Sequence, residues 1–212
     1  MLVRDGVAMN ADWERVLPPV VDAVMARADV DTKKVVLQGW SLGGYLAARA
    51  ATGEHRLAAC VLDPPGWDLM GGMSQFARHL GMSDAAVARL PDLTDAEEAT
   101  VMSAIDANAG LRTKFVQRGF WVNGVPDLRG YLASCATFTL EGRAQDIRCP
   151  TLMTMAEDDP IAAGAEDFAK RLSCPTTIIR FSASEGAGEH CELLNRWLAN
   201  QRILDWLDET LL

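Results

Sequence analysis

A short apolar run that leads through a glycine-rich turn into an alanine-rich segment is the feature that most constrains how this chain folds. The run occupies residues 35–37, the turn reads GWSLGG at 39–44, and alanine is frequent over 45–52. A short, continuously apolar run suits a strand buried on both faces of a parallel sheet, whereas alanine favours a helix. The sequence therefore predicts a buried strand, a sharp turn and a helix in direct succession.

The alternation of strands and helices continues along the chain. Three further short apolar runs predict buried strands, at residues 57–62, 151–156 and 176–181. Helical periodicity is found beside them, at residues 13–24, 161–172 and 193–211. Alternation of this kind predicts a mostly parallel sheet with helices on both faces. The expected fold class is therefore α/β, with a partial sheet of about four strands.

A long helical segment interrupts this alternation. Residues 70–145 carry helical patterns without a series of strand-like runs. We therefore expect a core formed by residues 1–69 and 146–212, and a helical cap insertion formed by residues 70–145. Aromatic residues of the cap and near the turn are candidates for substrate binding: Trp40, Trp67, Phe120 and Trp121. Packing within a core is the alternative role for each of them.

Composition and charge argue against several classes of partner. The 212 residues carry a net charge of −9, which disfavours nucleic acid and anionic membranes, because both attract basic surfaces. Arg4 and Asp5 stand where the apolar stretch of a signal peptide would run, and no apolar run is long enough to span a bilayer. The five cysteines have scattered spacings, which predicts reduced thiols and no zinc site. We therefore expect a cytoplasmic protein with a small-molecule substrate.

Ser41 is the candidate nucleophile. Gly39-Trp40-Ser41-Leu42-Gly43 fits the pattern G-x-S-x-G between a strand and a helix. In such a turn we expect strained backbone angles at the serine, and side chains at Gly39 or Gly43 would collide with neighbouring backbone. The N–H of Leu42 is the expected oxyanion-hole donor. A glycine–serine turn without chemistry is the alternative.

His190 is the candidate base. A serine hydroxyl needs a base to take its proton, and the chain has three histidines, His55, His79 and His190. His190 follows the last predicted strand, so we expect it at the same edge of the sheet as Ser41. His55 is expected at the opposite edge, and His79 lies in the helical segment. A loop histidine that caps the last helix is the alternative role for His190.

Four carboxylates follow predicted strands and fit the third position of a catalytic triad: Asp63, Glu157, Asp158 and Asp159. In this type of arrangement the carboxylate lies between the serine and the histidine along the chain. It orients the imidazole and stabilises its charged form. The order of elements alone does not choose among the four.

Three stretches of the chain resemble one family. VVLQGWSLGGYLAARAA, RLAACVLDPPGWD and SEGAGEHCELLNRWLANQRILDWLDE are similar to α/β-hydrolases of the dipeptidyl-aminopeptidase-like or FrsA-like group. That group includes esterase-like enzymes and enzymes that cleave carbon–carbon bonds in pseudooxynicotine-type compounds. The resemblance covers nearly the whole chain and is weakest over residues 70–135. It implies a triad of Ser41, Asp159 and His190, with Asp158 as the alternative acid.

The resemblance also implies a reaction. It points to hydrolysis through a covalent acyl-enzyme on an ester, amide or ketone bond of a small to medium organic substrate, with no metal or organic cofactor. Such enzymes have several strands before the first helix of this chain, so we expect the chain to lack the N-terminal part and a second oxyanion donor. The alternatives are an acyltransferase or lyase on the same triad, and a catalytically silent truncated homologue that forms a homodimer through an exposed strand edge.

Overall fold

Four parallel strands form one sheet. The computed structural model describes residues 2–212, and within them the strands are β1 (Val36–Trp40), β2 (Ala59–Asp63), β3 (Thr151–Ala156) and β4 (Thr176–Phe181). They lie in the order β1-β2-β3-β4, and each neighbouring pair is parallel. The central strands β2 and β3 are almost entirely buried, which explains why both are continuously apolar in sequence. The predicted fold class is confirmed.

The strand that leads to Ser41 is longer than predicted. β1 does not end at residue 37, because Gly39 and Trp40 pair in register with Leu62 and Asp63 of β2. The same pairing brings Asp63 into β2. The two parallel strands therefore end side by side, directly before the turn that contains Ser41.

Along the chain, the α-helices come before, between and after the strands. In chain order they are α1 (Trp13–Met25), α2 (Leu42–Ala51), α3 (Met70–His79), α4 (Asp84–Val87), α5 (Asp95–Ala107), α6 (Ala109–Arg112), α7 (Trp121–Asn123), α8 (Leu128–Ala136), α9 (Ala165–Ala169) and α10 (Arg196–Leu211). A π-helix, Thr113–Phe120, joins α6 to α7, and short 3₁₀ helices occupy Leu2–Asp5, Ala144–Asp146, Ala162–Gly164, Ala183–Glu185 and His190–Asn195. The helix predicted over 161–172 is divided into a 3₁₀ turn and α9, because Gly164 has a non-helical ψ of 1°.

The last helix begins later than its periodicity predicts. The pattern starts at residue 193, but α10 begins at Arg196. Cys191 and Glu192 have φ angles of 55° and 48°, which are incompatible with a continuous right-handed helix. These residues form a separate turn directly after His190.

One compact unit of the chain contains the sheet. This sheet unit comprises Asp12–Trp67 and Leu140–Leu212. Side chains alternate between the two faces of a strand, and every residue of β2 is buried, so both faces of the sheet are covered. Ile203 of α10 packs with Val61 and Leu152. The predicted arrangement of helices on both faces follows from this burial.

A buried arginine connects α1 to α2 within the sheet unit. The side chain of Arg49 is 3% exposed. Its Nε and Nη2 atoms donate to the carboxylate of Glu14 over 2.7 and 3.0 Å, and Nη2 also donates to Asp12 over 2.9 Å. A buried guanidinium is stable only when it is paired in this way. The pairing fixes α1 on α2, the helix that begins beside Ser41.

The second compact unit is helical and comprises Asp68–Thr139 with residues 2–11. Its apolar core is formed by Leu93, Val101, Ile105, Phe115, Phe120, Leu128 and Leu132. Residues 140–145, predicted as part of the cap, belong to the sheet unit. Residues 2–11 belong to the helical unit and not to the predicted core of residues 1–69. The reason is that the N–H of Met9 donates to the carbonyl of Val122 over 2.9 Å. The role of this helical unit as a cap stays a prediction.

Candidate active site

Ser41 lies in the turn between β1 and α2. Its φ of 56° and ψ of −123° are unusual for a residue with a side chain, as the strand–turn–helix pattern predicts. The N–H of Ser41 donates to the carbonyl of Asp63 over 2.7 Å, and α2 begins at the next residue, Leu42. The end of β2 and the start of α2 therefore hold the strained residue in place.

Two glycines of this turn have no room for a side chain. A Cβ atom on Gly39 would lie 1.9 Å from the carbonyl oxygen of Gly43, and one on Gly44 would lie 1.9 Å from that of Pro64. A Cβ atom on Gly43 would meet nothing within 4 Å, so the predicted collision at Gly43 was wrong. The close approach of α2 to the chain that follows β2 falls one residue later, at Gly44.

His190 connects Ser41 and Asp159 in one chain of hydrogen bonds. Its Nε2 atom lies 2.9 Å from Oγ of Ser41, and its Nδ1 atom lies 2.8 Å from Oδ2 of Asp159. The Asp159 side chain is 1% exposed, whereas that of His190 is 36% exposed. The second carboxylate oxygen of Asp159 accepts the N–H of Ile161 over 2.9 Å. A fixed, buried carboxylate therefore orients an accessible imidazole toward the serine hydroxyl. We call these three residues the triad.

The other candidate residues in these roles lie elsewhere. Glu157 and Asp158 are exposed, although both follow β3 directly. His55 is exposed, and its Nε2 atom lies 3.2 Å from the carbonyl of Thr52. His79 is exposed at the end of α3 in the helical unit. The geometry therefore favours the predicted triad over these alternatives.

A buried carboxyl pair next to the triad was not recognised as a pair from the sequence. The side chains of Asp63 and Glu192 are 0% and 1% exposed. Nη1 of Arg196 donates to Oδ2 of Asp63 over 2.7 Å and to Oε2 of Glu192 over 3.2 Å. The hydroxyl of Thr154 donates to Oδ1 of Asp63 over 3.0 Å. Burial, followed by the adjacent Asp63 carboxylate, raises the pKa of Glu192 to about 8. Asp63, after a buried strand, was the only sequence signal for this pair.

The aromatic candidates for substrate binding have different surroundings. Trp40 is 49% exposed, and the guanidinium of Arg196 lies 4.1 Å from its ring centre. Trp67 is half-buried in the sheet unit. Phe120 is 7% exposed and packs in the apolar core of the helical unit. Trp121 is 45% exposed in the same unit. Substrate binding by these residues stays a prediction.

Cysteine chemistry does not compete with Ser41. All five cysteines are free thiols, and burial, followed by the charge of Asp63, raises the pKa of Cys191 to about 11. The thiol beside His190 is therefore neutral and a poor nucleophile at neutral pH.

Within residues 2–212, no three His, Cys, Asp or Glu side chains are placed to hold a metal ion. Over the same range, no helix combines the length and apolar character that crossing a membrane requires.

Comparison with known families assigns the chain. The family model described as the alpha/beta hydrolase family matches residues 4–196. The match includes the sheet, the turn at Ser41 and all three residues of the triad. The chain belongs to the alpha/beta hydrolase family.

Curated relatives are named as hydrolases. Hydrolase acrC of Aspergillus aculeatus is 28% identical, over 74% of this chain and 37% of its own length. The 20-hydroxy-prefusarin hydrolase FUS2 of Gibberella moniliformis is 30% identical, over 71% of this chain and 36% of its own length. Hydrolase LUC6 of Fusarium sp is 26% identical, over 99% of this chain and 52% of its own length. The chain spans about half or less of these relatives' own length.

Solved structures share the fold. The 2,6-dihydroxy-pseudo-oxynicotine hydrolase has a TM-score of 0.62 at 19% identity, over 100% of this chain and 49% of that chain. The alpha/beta hydrolase GrgF from Penicillium sp. sh18 has a TM-score of 0.58 at 17% identity, over 96% of this chain and 73% of that chain. At such identities the likeness concerns the fold alone, because one fold serves many reactions.

Proposed function

We propose that this chain carries the nucleophile, base and acid of a serine hydrolase. The proposed enzyme acts through an acyl-enzyme on an ester, amide or ketone bond of a small to medium organic substrate. The observation that carries the proposal is the hydrogen-bonded chain from Ser41 through His190 to Asp159, with distances of 2.9 and 2.8 Å. Membership of the alpha/beta hydrolase family supports the reaction class. The name of FUS2, a 20-hydroxy-prefusarin hydrolase, supports an organic small-molecule substrate.

The first half of the proposed reaction forms the acyl-enzyme. Oγ of Ser41 attacks the carbonyl carbon of the substrate while Nε2 of His190 takes its proton. The buried carboxylate of Asp159 stabilises the imidazolium through the N–H at Nδ1. The imidazolium then gives its proton to the leaving group as the bond to that group breaks. The acyl group remains bound to Oγ of Ser41.

The second half releases the product with water. His190 takes a proton from a water molecule while the oxygen of that water attacks the acyl carbon. The bond between the acyl carbon and Oγ of Ser41 then breaks, and His190 returns the proton to Oγ. In both halves a negative charge develops on the carbonyl oxygen. The N–H of Leu42 is the proposed donor to this oxygen, because the first N–H groups of a helix have no intrahelical acceptor and α2 begins at Leu42. One such donor is worth roughly 100- to 1,000-fold in rate.

The acyl-enzyme can be observed directly. The chain is mixed with p-nitrophenyl esters, and the reaction is quenched with acid during the first turnover. The mass of the intact protein is then measured by mass spectrometry. We expect a mass increase equal to the acyl group and a matching burst of p-nitrophenol, because acylation precedes hydrolysis. Ser41→Ala is the control and should show neither. An adduct on a different residue, or an unchanged burst in Ser41→Ala, would contradict the proposal.

The same experiment separates the alternatives. Amide and aryl ketone analogues of the best ester show which bond is cleaved. An added alcohol acceptor tests for group transfer, since an acyltransferase gives the new ester and a hydrolase gives the acid. A folded chain that forms no adduct with any substrate supports the catalytically silent homologue.

A further inference from the structure

We propose that Glu192 is a positioning residue of the active site, and that a proton shared between its buried carboxyl group and that of Asp63 keeps the His190 turn in place. This inference rests on the proposed function, because it concerns the position of His190 relative to Ser41. Glu192 does not touch the reacting atoms. Its effect on catalysis passes through the backbone that carries the imidazole.

The backbone directly after His190 has an uncommon conformation. Cys191 and Glu192 have φ angles of 55° and 48°. Two consecutive non-glycine residues in the left-handed region are strained, and such angles persist only where the surroundings hold them. The turn follows His190 immediately, so the imidazole can be kept in place only if this turn is kept in place.

Buried contacts hold the turn and connect it to the nucleophile. Nη1 of Arg196 donates to the carbonyl of Cys191 over 2.8 Å and to the carboxyl group of Glu192 over 3.2 Å. The thiol of Cys191 donates to the carbonyl of Asp63 over 3.5 Å. That same carbonyl accepts the N–H of Ser41 over 2.7 Å. Asp63 therefore contacts both the turn at Cys191 and Glu192, which follows His190, and the turn that contains Ser41.

Arg196 makes a second connection between the two turns. Its guanidinium lies 4.1 Å from the ring centre of Trp40, the residue before Ser41, at a distance that suits a cation–π contact. Nη1 of the same guanidinium donates to Asp63 over 2.7 Å. One charged side chain, 17% exposed, is therefore in contact with Trp40, next to Ser41, and with Cys191, next to His190.

The carboxyl pair needs a proton. Side chains from three elements surround Glu192: Asp63 from β2, Thr154 from β3 and Arg196 from α10. Thr154 is neutral, so two buried carboxylates would face one guanidinium and leave an uncompensated negative charge, which is costly away from water. Burial and the Asp63 charge raise the pKa of Glu192 to about 8. At neutral pH the pair therefore keeps one proton, and Arg196 balances the one remaining negative charge.

Loss of this proton should disturb catalysis. Two ionised carboxylates repel each other, and the strained turn at Cys191 would relax away from its present position. A displacement of about 1 Å between base and nucleophile costs on the order of 100-fold in rate. The shared proton thus predicts a decline in reactivity at alkaline pH that does not come from the triad itself.

Three variants test this inference by their rates of reaction with a fluorophosphonate probe between about pH 6 and pH 10. Glu192→Gln keeps a neutral donor of the same shape, so we expect a rate within about threefold of the unchanged chain at pH 7 and no decline above about pH 8. Glu192→Ala removes the contacts and should react about 100-fold more slowly at every pH. Glu189→Gln removes an exposed carboxylate of the same loop and should follow the unchanged chain.

The results decide between clear outcomes. A decline above pH 8 that persists in Glu192→Gln would overturn the shared proton, as would a Gln variant that is as slow as the Ala variant at pH 7. A Glu192→Ala variant that reacts as fast as the unchanged chain would overturn the positioning role. If Glu192→Ala does not fold, the pH profile of the Gln variant still decides.

A stability measurement tests the shared proton even if the unchanged chain reacts with no probe. Such a lack of reaction would contradict the proposed function, but it would not decide whether the proton is shared. Because its folded-state pKa lies above the ordinary 4.5, Glu192 stabilises the fold fully below about pH 4.5. That stabilisation is lost as pH rises to about 8. The melting temperature should therefore fall less steeply between pH 5 and pH 8 in Glu192→Gln than in the unchanged chain. Parallel slopes would overturn the shared proton.

Discussion

The sheet unit and the helical unit are stabilised by different kinds of interaction. Among the described residues, the buried polar and charged ones all lie in the sheet unit: Arg49, Thr52, Glu54, Asp63, Thr151, Thr154, Asp159 and Glu192. The buried core of the helical unit consists of apolar side chains. Its ion pairs lie at the surface, as in the pair of Arg129 with Asp95, whose side chains are 44% and 99% exposed.

The difference indicates that side chains of the sheet unit must be held in one orientation, whereas the core of the helical unit requires only apolar packing. Burying a polar group is unfavourable unless it is hydrogen-bonded, so such groups are found where a side chain must be fixed. Asp159 fixes His190, and Arg49 fixes the helix that begins beside Ser41. An apolar core accepts substitutions of similar volume more readily. Changes of buried polar residues in the sheet unit should therefore alter reaction rates, and core changes in the helical unit should alter the free energy of unfolding.

Asp159→Asn should have the largest effect. The asparagine amide can donate to Nδ1 of His190 and so favour the wrong tautomer, which lowers the acylation rate by about 10⁴-fold while the fold is kept. The measurement is the acylation rate, with the melting curve as a check on folding. Asp158→Asn is the matched control, because its carboxylate is the exposed neighbour, and it should change the rate by less than about threefold. A larger loss in Asp158→Asn would reassign the acid.

Phe115→Ala should have the next largest effect, on stability. The ring is 1% exposed and stacks on Phe76 with centres 4.9 Å apart. Its removal leaves a cavity and should lower the free energy of unfolding by about 3–5 kcal/mol, as measured with urea. Trp121→Ala, at an exposed position of the same unit, should change it by less than about 0.5 kcal/mol. If Phe115→Ala lowered the free energy of unfolding by less than about 1 kcal/mol, apolar packing would not be the main stabilising interaction of the helical unit.

Gly44→Ala and Gly43→Ala form a matched pair in the nucleophile turn. The new Cβ atom on Gly44 would lie 1.9 Å from the carbonyl oxygen of Pro64, whereas that on Gly43 would meet nothing within 4 Å. We expect Gly44→Ala to lower the free energy of unfolding by about 1–3 kcal/mol or more, and Gly43→Ala to change it by at most about 1 kcal/mol. Equal effects in urea unfolding would contradict the described turn.

Thr94→Ala should have the smallest effect of this series. The hydroxyl of Thr94 accepts the N–H of Glu97, and the Glu97 carboxylate accepts the N–H of Thr94, at the start of α5. Removing one half of this capping box should lower the free energy of unfolding by about 1 kcal/mol and leave the acylation rate unchanged. Thr100→Ala, on the exposed surface of α5, is the control. A change in acylation rate would contradict the expectation that changes in the helical unit affect stability and not reactivity.

The strands and the triad could be predicted because their signals are local. Each strand is a short apolar run, and Ser41 stands in a pattern that combines a strand, a turn and a helix. His190 and Asp159 follow from the order of elements and a family resemblance. The structure adds the distances that join them and separates Asp159, buried, from Asp158, exposed.

The buried pair could not be predicted because its partners are distant along the chain. Asp63 and Arg196 are separated by 133 positions, and Glu192 stands in a polar stretch that resembles an exposed helix start. The left-handed angles of Cys191 and Glu192 have no glycine to signal them. The choice between Gly43 and Gly44 also depends on a contact outside the turn, with Pro64. Local patterns locate elements, but they do not show which side chains meet between elements.

The most direct test of the central claim is the site of reaction with a fluorophosphonate probe. The chain is treated with the probe at neutral pH, digested, and the modified peptide is sequenced by mass spectrometry. An activated serine requires its base, so we expect a single adduct on Ser41 in the unchanged chain and no adduct in Ser41→Ala or His190→Ala. His55→Ala, which alters an exposed histidine, should be labelled like the unchanged chain. A folded chain without an adduct, or one whose labelling survives in His190→Ala, would contradict the account.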